Sequence, residues 1–131
     1  MDLFGDAWMS KYKDVWNAAS NVSDALAKIN FDSTIGWGIA GEAKPRGVLV
    51  VKNGKAIHAG AYKGEELNWD LRATQESWGQ WQQTPVSIAG LGMAVTTGKL
   101  KFVTGDYSNM LKSPGMAGPF VNSFGLLSQI S

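Results

Sequence analysis

His58 is the only histidine in the chain, so a catalytic triad or a facial metal site would have to be built around it. There is no cysteine, which excludes disulfides, thiolate catalysis and cysteine-ligated metals. His58 lies in a run that alternates like a strand, with Ala56, Gly60 and Tyr62 on its face, and reads as a solvated or hydrogen-bonded structural histidine. A glycosidase-like mechanism needs two carboxylates flanking one bond. Glu65-Glu66 falls in a turn, Glu76 opens a helix where a carboxylate suits the macrodipole, and nothing selects a pair. Asp70 and Arg72 share one strand face and read as a surface ion pair worth less than about 1 kcal/mol. Acid–base work by His58 or Asp70 is the enzymatic alternative.

Two glycine patterns suggest phosphate binding and fail on context. Gly36-Trp37-Gly38-Ile39-Ala40-Gly41 matches G-x-G-x-x-G, but the fingerprint works only between a strand and a helix. Here the glycines sit inside a β-period run, and Pro45 follows where a helix should continue. Their expected role is to let a helix or a ligand approach one face of the strand. Gly98-Lys99 resembles the end of a P-loop, yet Met93 stands where the first glycine belongs and Leu100 replaces the Ser or Thr.

The elements that must hold these residues follow from periodicity. Asp6 is a candidate cap for a helix whose stripe is Trp8, Met9, Tyr12, Val15, Trp16 and Ala19. Ser23 is a second candidate cap, before a short helix through Ala25, Leu26 and Ile29. From Phe31 the period changes to that of strands, and Asn53-Gly54 predicts a hairpin because both positions tolerate positive φ. Leu67, Trp69, Leu71 and Ala73 alternate with polar residues as a half-buried strand does. Helices are expected over 76–83 and 87–97, the second weakened by Gly90 and Gly92. A fifth strand spans 99–104. Asp106 caps a short helix, Ser113-Pro114-Gly115 breaks it, and Pro119 suits the first turn of a last helix running towards Leu127. This order predicts an α+β fold: one mostly antiparallel sheet with helices massed on one face.

The length of 131 residues fits one domain, 1–131, able to bury a core. A net charge of +1 offers no strong field that would draw nucleic acid or an anionic membrane. No window approaches the ~20 apolar residues of a membrane span, and no signal peptide opens the chain, so a cytoplasmic setting is expected. Six tryptophans are the compositional oddity, read either as core and surface packing or as a pocket wall. The last third is rich in large apolar residues, among them Met110, Met116, Phe120, Val121, Phe124 and Leu127. With no nucleophile, metal cluster or phosphate loop nearby, they point to binding rather than catalysis.

Three pieces of sequence resemble the sterol carrier protein family of lipid-binding domains. They are Asp6-Ala7-Trp8 near the start of the first helix, Leu67 to Thr74 running into Glu76-Ser77-Trp78, and Gly98 to Asp106 followed by the apolar C-terminal segment. The resemblance implies a five-stranded sheet covered on one side by helices, with an apolar tunnel between them. It implies a non-enzymatic domain that binds or transfers a hydrophobic small molecule such as a sterol, fatty acid or acyl-CoA, with no cofactor. The alternative it carries is an accessory module that presents substrate to, or regulates, a lipid- or hydrocarbon-metabolising enzyme. By position, the resemblance places Trp78, Trp81, Leu91, Met93 and Phe102 along the tunnel and Met110, Met116, Phe120 and Phe124 at its mouth. Lys99, Lys101 and Lys112 are candidates for a ligand head group, or plain solvated lysines. The abundance of tryptophan suggests a ligand flatter than a sterol. The last helix is expected to move as a lid on the hinge-like glycines and prolines of 113–119, and deleting residues 115–131 should abolish ligand retention.

Overall fold

The computed structural model describes residues 2–113 and 115–130. Helix α1 spans Asp6–Ala18 and buries Trp8, Met9, Tyr12 and Trp16 of the expected stripe, while Val15 is half-buried and Ala19 is the C-cap. Its N-cap is Gly5 rather than Asp6. The Asp6 carboxylate instead accepts a hydrogen bond from the Ala61 N–H at 2.7 Å, tying the helix start to the sheet. A π-helical turn, Ser20–Asp24, follows and runs into α2, Ala25–Ala27. Ser23 is not a cap: it is buried in the π turn, and its hydroxyl lies within hydrogen-bond distance of the Asn17 and Ala19 carbonyls.

The sheet comprises β1 (Ser33–Ile39), β2 (Gly47–Lys52), β3 (Lys55–Ala61), β4 (Trp69–Ala73) and β5 (Leu100–Thr104), in the order β3-β2-β1-β4-β5. The β2–β3 turn is Asn53-Gly54 with φ of 49° and 81°, the two positive values a tight hairpin needs. Strand β4 runs parallel to β1, while the other pairings are antiparallel. Placed between β1 and β5, β4 is covered on both faces: Asp70, Leu71, Arg72 and Ala73 are all buried.

Helix α3 (Gln75–Gln83) begins where the Thr74 hydroxyl accepts from the Ser77 N–H. Helix α4 (Ile88–Thr96) is capped in the same way by Ser87, and α5 (Tyr107–Lys112) by the Asp106 carboxylate. Helix α6 (Ala117–Gly125) carries Pro119 in its first turn and continues as a 3-10 turn, Leu126–Gln129. Of the expected breaker, Ser113 and Gly115 separate α5 from α6, and Pro114 lies outside the described residues. No helix of the described residues is long and apolar enough to cross a membrane.

Alternate residues of β1, β2 and β4 (Ile35, Trp37, Leu49, Val51, Leu71 and Ala73) join side chains from the helices in one core. On the other face the glycines of β1 make room. A Cβ on Gly38 would sit 2.8 Å from Pro45 Cα and 2.9 Å from Arg72 Cδ. What approaches the strand there is a loop and an arginine rather than a helix.

Candidate functional site

The parallel register of β1 and β4 sets Ile35 beside Trp69 and Trp37 beside Leu71, all on the face that meets the helices. These four side chains are the floor of an apolar pocket. Trp16 of α1, Leu26 of α2 and Phe31 form one wall, and Met110, Met116, Phe120 and Ser123 close it from α5 and α6. Among the described residues no ionisable side chain lines it, and Ser123 brings the one side-chain hydroxyl. That hydroxyl lies 2.6 Å from the Phe120 carbonyl of its own helix, which it serves as donor. Such a lining offers no group to move protons or to ligate a metal ion; it excludes water and accepts apolar surface. Among the described residues no group of three His, Cys, Asp or Glu side chains comes together as a metal site.

The pocket offers about 30 Å³, room for about two waters. Sites for organic ligands measure about 300–1,000 Å³. The expected tunnel is therefore, in this structure, a short hollow, and a guest of ligand size requires a wall to move. Three boundaries are firmly tied. The floor is sheet. Helix α1 is bound to the hairpin by Trp16 Nε1 donating to the Gly54 carbonyl at 3.0 Å and by Asn17 exchanging two bonds with Ala56. The second half of α6 is tied by the Tyr12 hydroxyl, which donates to the Ser123 carbonyl, and by Phe124 against Trp78 and Trp81. Burial in this contact pushes the Tyr12 phenol well above the ordinary tyrosine range. The remaining boundary is α5 and the first turns of α6, where Met116 and Phe120 are only half-buried.

The residues singled out by the resemblance separate into groups. Met110, Met116 and Phe120 line the pocket. Phe102 stands beside it, its ring 5.8 Å from Trp69 and 5.9 Å from Phe120. Trp78, Trp81 and Phe124 form an aromatic cluster with Phe4 that meets the pocket wall through Phe124, 5.3 Å from Phe120, and the Trp78 indole donates to the Gly38 carbonyl at 2.9 Å. Leu91 is fully buried in the core, whereas Met93 is 64% exposed on α4. Lys99, Lys101 and Lys112 are exposed and do not line the pocket. His58 is exposed on β3.

Asp70 and Arg72 are a buried pair rather than a surface one. The residues that sequence reasoning left out of the pocket are Trp16, Leu26, Phe31, Ile35, Trp37, Trp69, Leu71 and Ser123. The excess of tryptophan was the signal that pointed towards three of them.

The fold has known counterparts. A crystal structure of sterol carrier protein 2 matches with a TM-score of 0.78 at 18% identity, over 99% of this chain and 100% of that one. The solution structure of a conserved hypothetical protein from Thermus thermophilus matches with a TM-score of 0.66 at 18% identity, over 97% and 90%. The UbiJ-SCP2 ubiquinone synthesis protein matches with a TM-score of 0.60 at 11% identity, over 94% and 89%. The chain thus has the sterol carrier protein fold. No protein-family model and no curated protein sequence matches it.

Proposed function

We propose that the protein is a non-enzymatic carrier that binds a hydrophobic small molecule between the sheet and α5–α6. The observation that carries this reading is the pocket itself: aromatic and aliphatic side chains from six elements converge on one hollow, with no ionisable group among the described residues that line it. The sterol-carrier fold supports it. Each methylene moved from water into the site contributes about 0.8 kcal/mol, so a chain of ~16 carbons offers roughly 12 kcal/mol before costs. Opening the wall and immobilising the ligand take back part of that.

The lining also selects. A carboxylate buried there would find no cation and would lose several kcal/mol of hydration. The part of the ligand inside is therefore free of anionic groups, and an acidic head stays at the surface. With Trp16, Phe31, Trp37, Trp69 and Phe120 around the hollow, flat unsaturated guests gain ring contacts that a saturated chain does not. A cytoplasmic setting belongs to this reading. A second reading, presentation of the ligand to a lipid-metabolising enzyme, draws on the likeness to a ubiquinone synthesis protein.

Titration with hexadecanol, followed by tryptophan fluorescence and native mass spectrometry, tests the carrier. Saturable one-to-one binding is expected, weakened at least about tenfold by Phe120→Asp, which puts an unpaired charge into the hollow. Absence of saturable binding by the wild-type protein would overturn the carrier reading.

A further inference from the structure

Three tryptophans line the hollow, and they differ in what their indole N–H meets. Trp16 donates to the Gly54 carbonyl at 3.0 Å. Trp69 is half-buried, so water reaches its side chain. Trp37 is only 2% exposed, yet among the described residues its N–H has no hydrogen-bond partner. Nor is that N–H sealed in. Among the described residues Ser33 Oγ is the one side-chain nitrogen or oxygen that is both closed off and unpaired. The Trp37 N–H therefore opens onto free space, and for a side chain this deeply buried in the lining that space is the hollow.

The donor is also held firmly. Strand β1 lies between β2 and β4, with Trp37 paired to Gly47 on one side and to Leu71 on the other. The Tyr12 ring packs edge-on against the indole at 5.2 Å, and Tyr12 is itself fixed by its bond to the Ser123 carbonyl. A donor locked on the floor of a site is preorganised for whatever the site admits.

We propose that Trp37 is the polar anchor of the hollow, its N–H donating to a neutral carbonyl oxygen, of the ketone or ester type, on an otherwise apolar ligand. The proposal rests on the carrier reading. A purely hydrocarbon guest would seal the N–H away from water and leave it unpaired, which costs binding energy. A guest with an acceptor at that point avoids the cost. A carboxylate would accept as well, but no cation lines the hollow to offset the burial of its charge. A ligand hydroxyl brings a proton that needs an acceptor of its own, and the lining offers one side-chain hydroxyl, on α6. A carbonyl has no proton to place.

Heptadecane and the heptadecanones with the carbonyl at carbon 2 or carbon 9 test this. Each is set to displace bound hexadecanol, followed by native mass spectrometry, from the wild type and from Trp37→Phe. The phenylalanine keeps an aromatic ring and lacks the N–H. For the better of the two ketones the variant should lower the ketone-to-alkane affinity ratio at least about fivefold. Taking the ratio within one protein cancels any general loss of packing. In nitrogen–proton spectra of the wild type, the Trp37 indole resonance should move downfield with that ketone and not with heptadecane. If Trp37→Phe does not fold, this resonance decides alone. An unchanged ratio, or a resonance that responds alike to ketone and alkane, would overturn the anchor and leave the carrier reading standing, because heptadecane binding does not need the N–H. Failure of hexadecanol and of all three probes to bind the wild type would overturn the carrier reading, and the anchor with it.

Discussion

Asp70 and Arg72, two residues apart on β4, form a bidentate ion pair beneath the sheet, with Nε–Oδ1 of 2.6 Å and Nη2–Oδ2 of 2.9 Å. Their side chains are 8% and 7% exposed, and Arg72 Nη1 also donates to the Glu42 carbonyl at 2.8 Å. The pair therefore holds the 40–46 loop against β1 and β4. Removing one partner strands the other charge where water does not reach. Arg72→Met should cost about 3–5 kcal/mol in urea unfolding, and adding Asp70→Leu should recover much of it. A loss below about 1 kcal/mol for Arg72→Met would mean that the pair is effectively solvated.

The same loop makes two glycine substitutions differ in sign. Gly38→Ala drives a Cβ into Pro45 Cα, a backbone atom that has no rotamer to escape into, and should destabilise by about 1–3 kcal/mol. Gly79→Ala in α3 meets nothing within 4 Å and should stabilise by about 0.5–1 kcal/mol through helix propensity. Thermal unfolding of the two variants checks both signs at once.

Local chemistry explains what was readable in advance. The α1 stripe, the Asn53-Gly54 hairpin and the Asp106 cap each depend on residues a few positions apart, and all three form as their spacing implies. The buried Asp70–Arg72 pair was not readable, because its cover comes from Glu42 and Pro45, some thirty residues away. The pocket was half readable. Met110, Met116 and Phe120 sit in a visibly apolar tail, but the floor and far wall come from Trp16, Phe31, Ile35 and Trp37 in the first third. Only the parallel β1–β4 register brings them together with Trp69 and Leu71. Met93 shows the converse: an apolar helix does not announce which side faces the core.

Tyr12 links stability to alkaline pH. Burial lifts its phenol in the folded state above its ordinary 10.0. A group with a raised folded pKa contributes stability that is fully present below the unfolded value and is lost as pH rises beyond it. Unfolding free energy should accordingly fall as pH climbs above 10, and Tyr12→Phe should flatten that fall. At neutral pH the same variant should cost about 1 kcal/mol for the hydrogen bond to the Ser123 carbonyl. Denaturant curves at neutral pH and above pH 10 separate the two effects, and parallel slopes for both proteins would exclude Tyr12 as the source.

Any gate of the proposed carrier must be narrower than the whole C-terminal segment. Phe124, Leu126, Leu127 and Ile130 are each at most 4% exposed and belong to the core, so deleting residues 115–131 removes core and should unfold the protein. Movement that admits a ligand is expected at α5 and the first turn of α6, before the anchor at Ser123 and Phe124. Gly118 and Gly125 discriminate, since a Cβ added at either meets nothing within 4 Å. Gly118→Ala stiffens the turn that must fray and should slow hexadecanol association in stopped-flow fluorescence about two- to fivefold, the equivalent of roughly 0.5–1 kcal/mol of helix stabilisation. Gly125→Ala stiffens the anchored end and should leave the rate unchanged. Equal slowing by both substitutions would show that α6 moves as one piece.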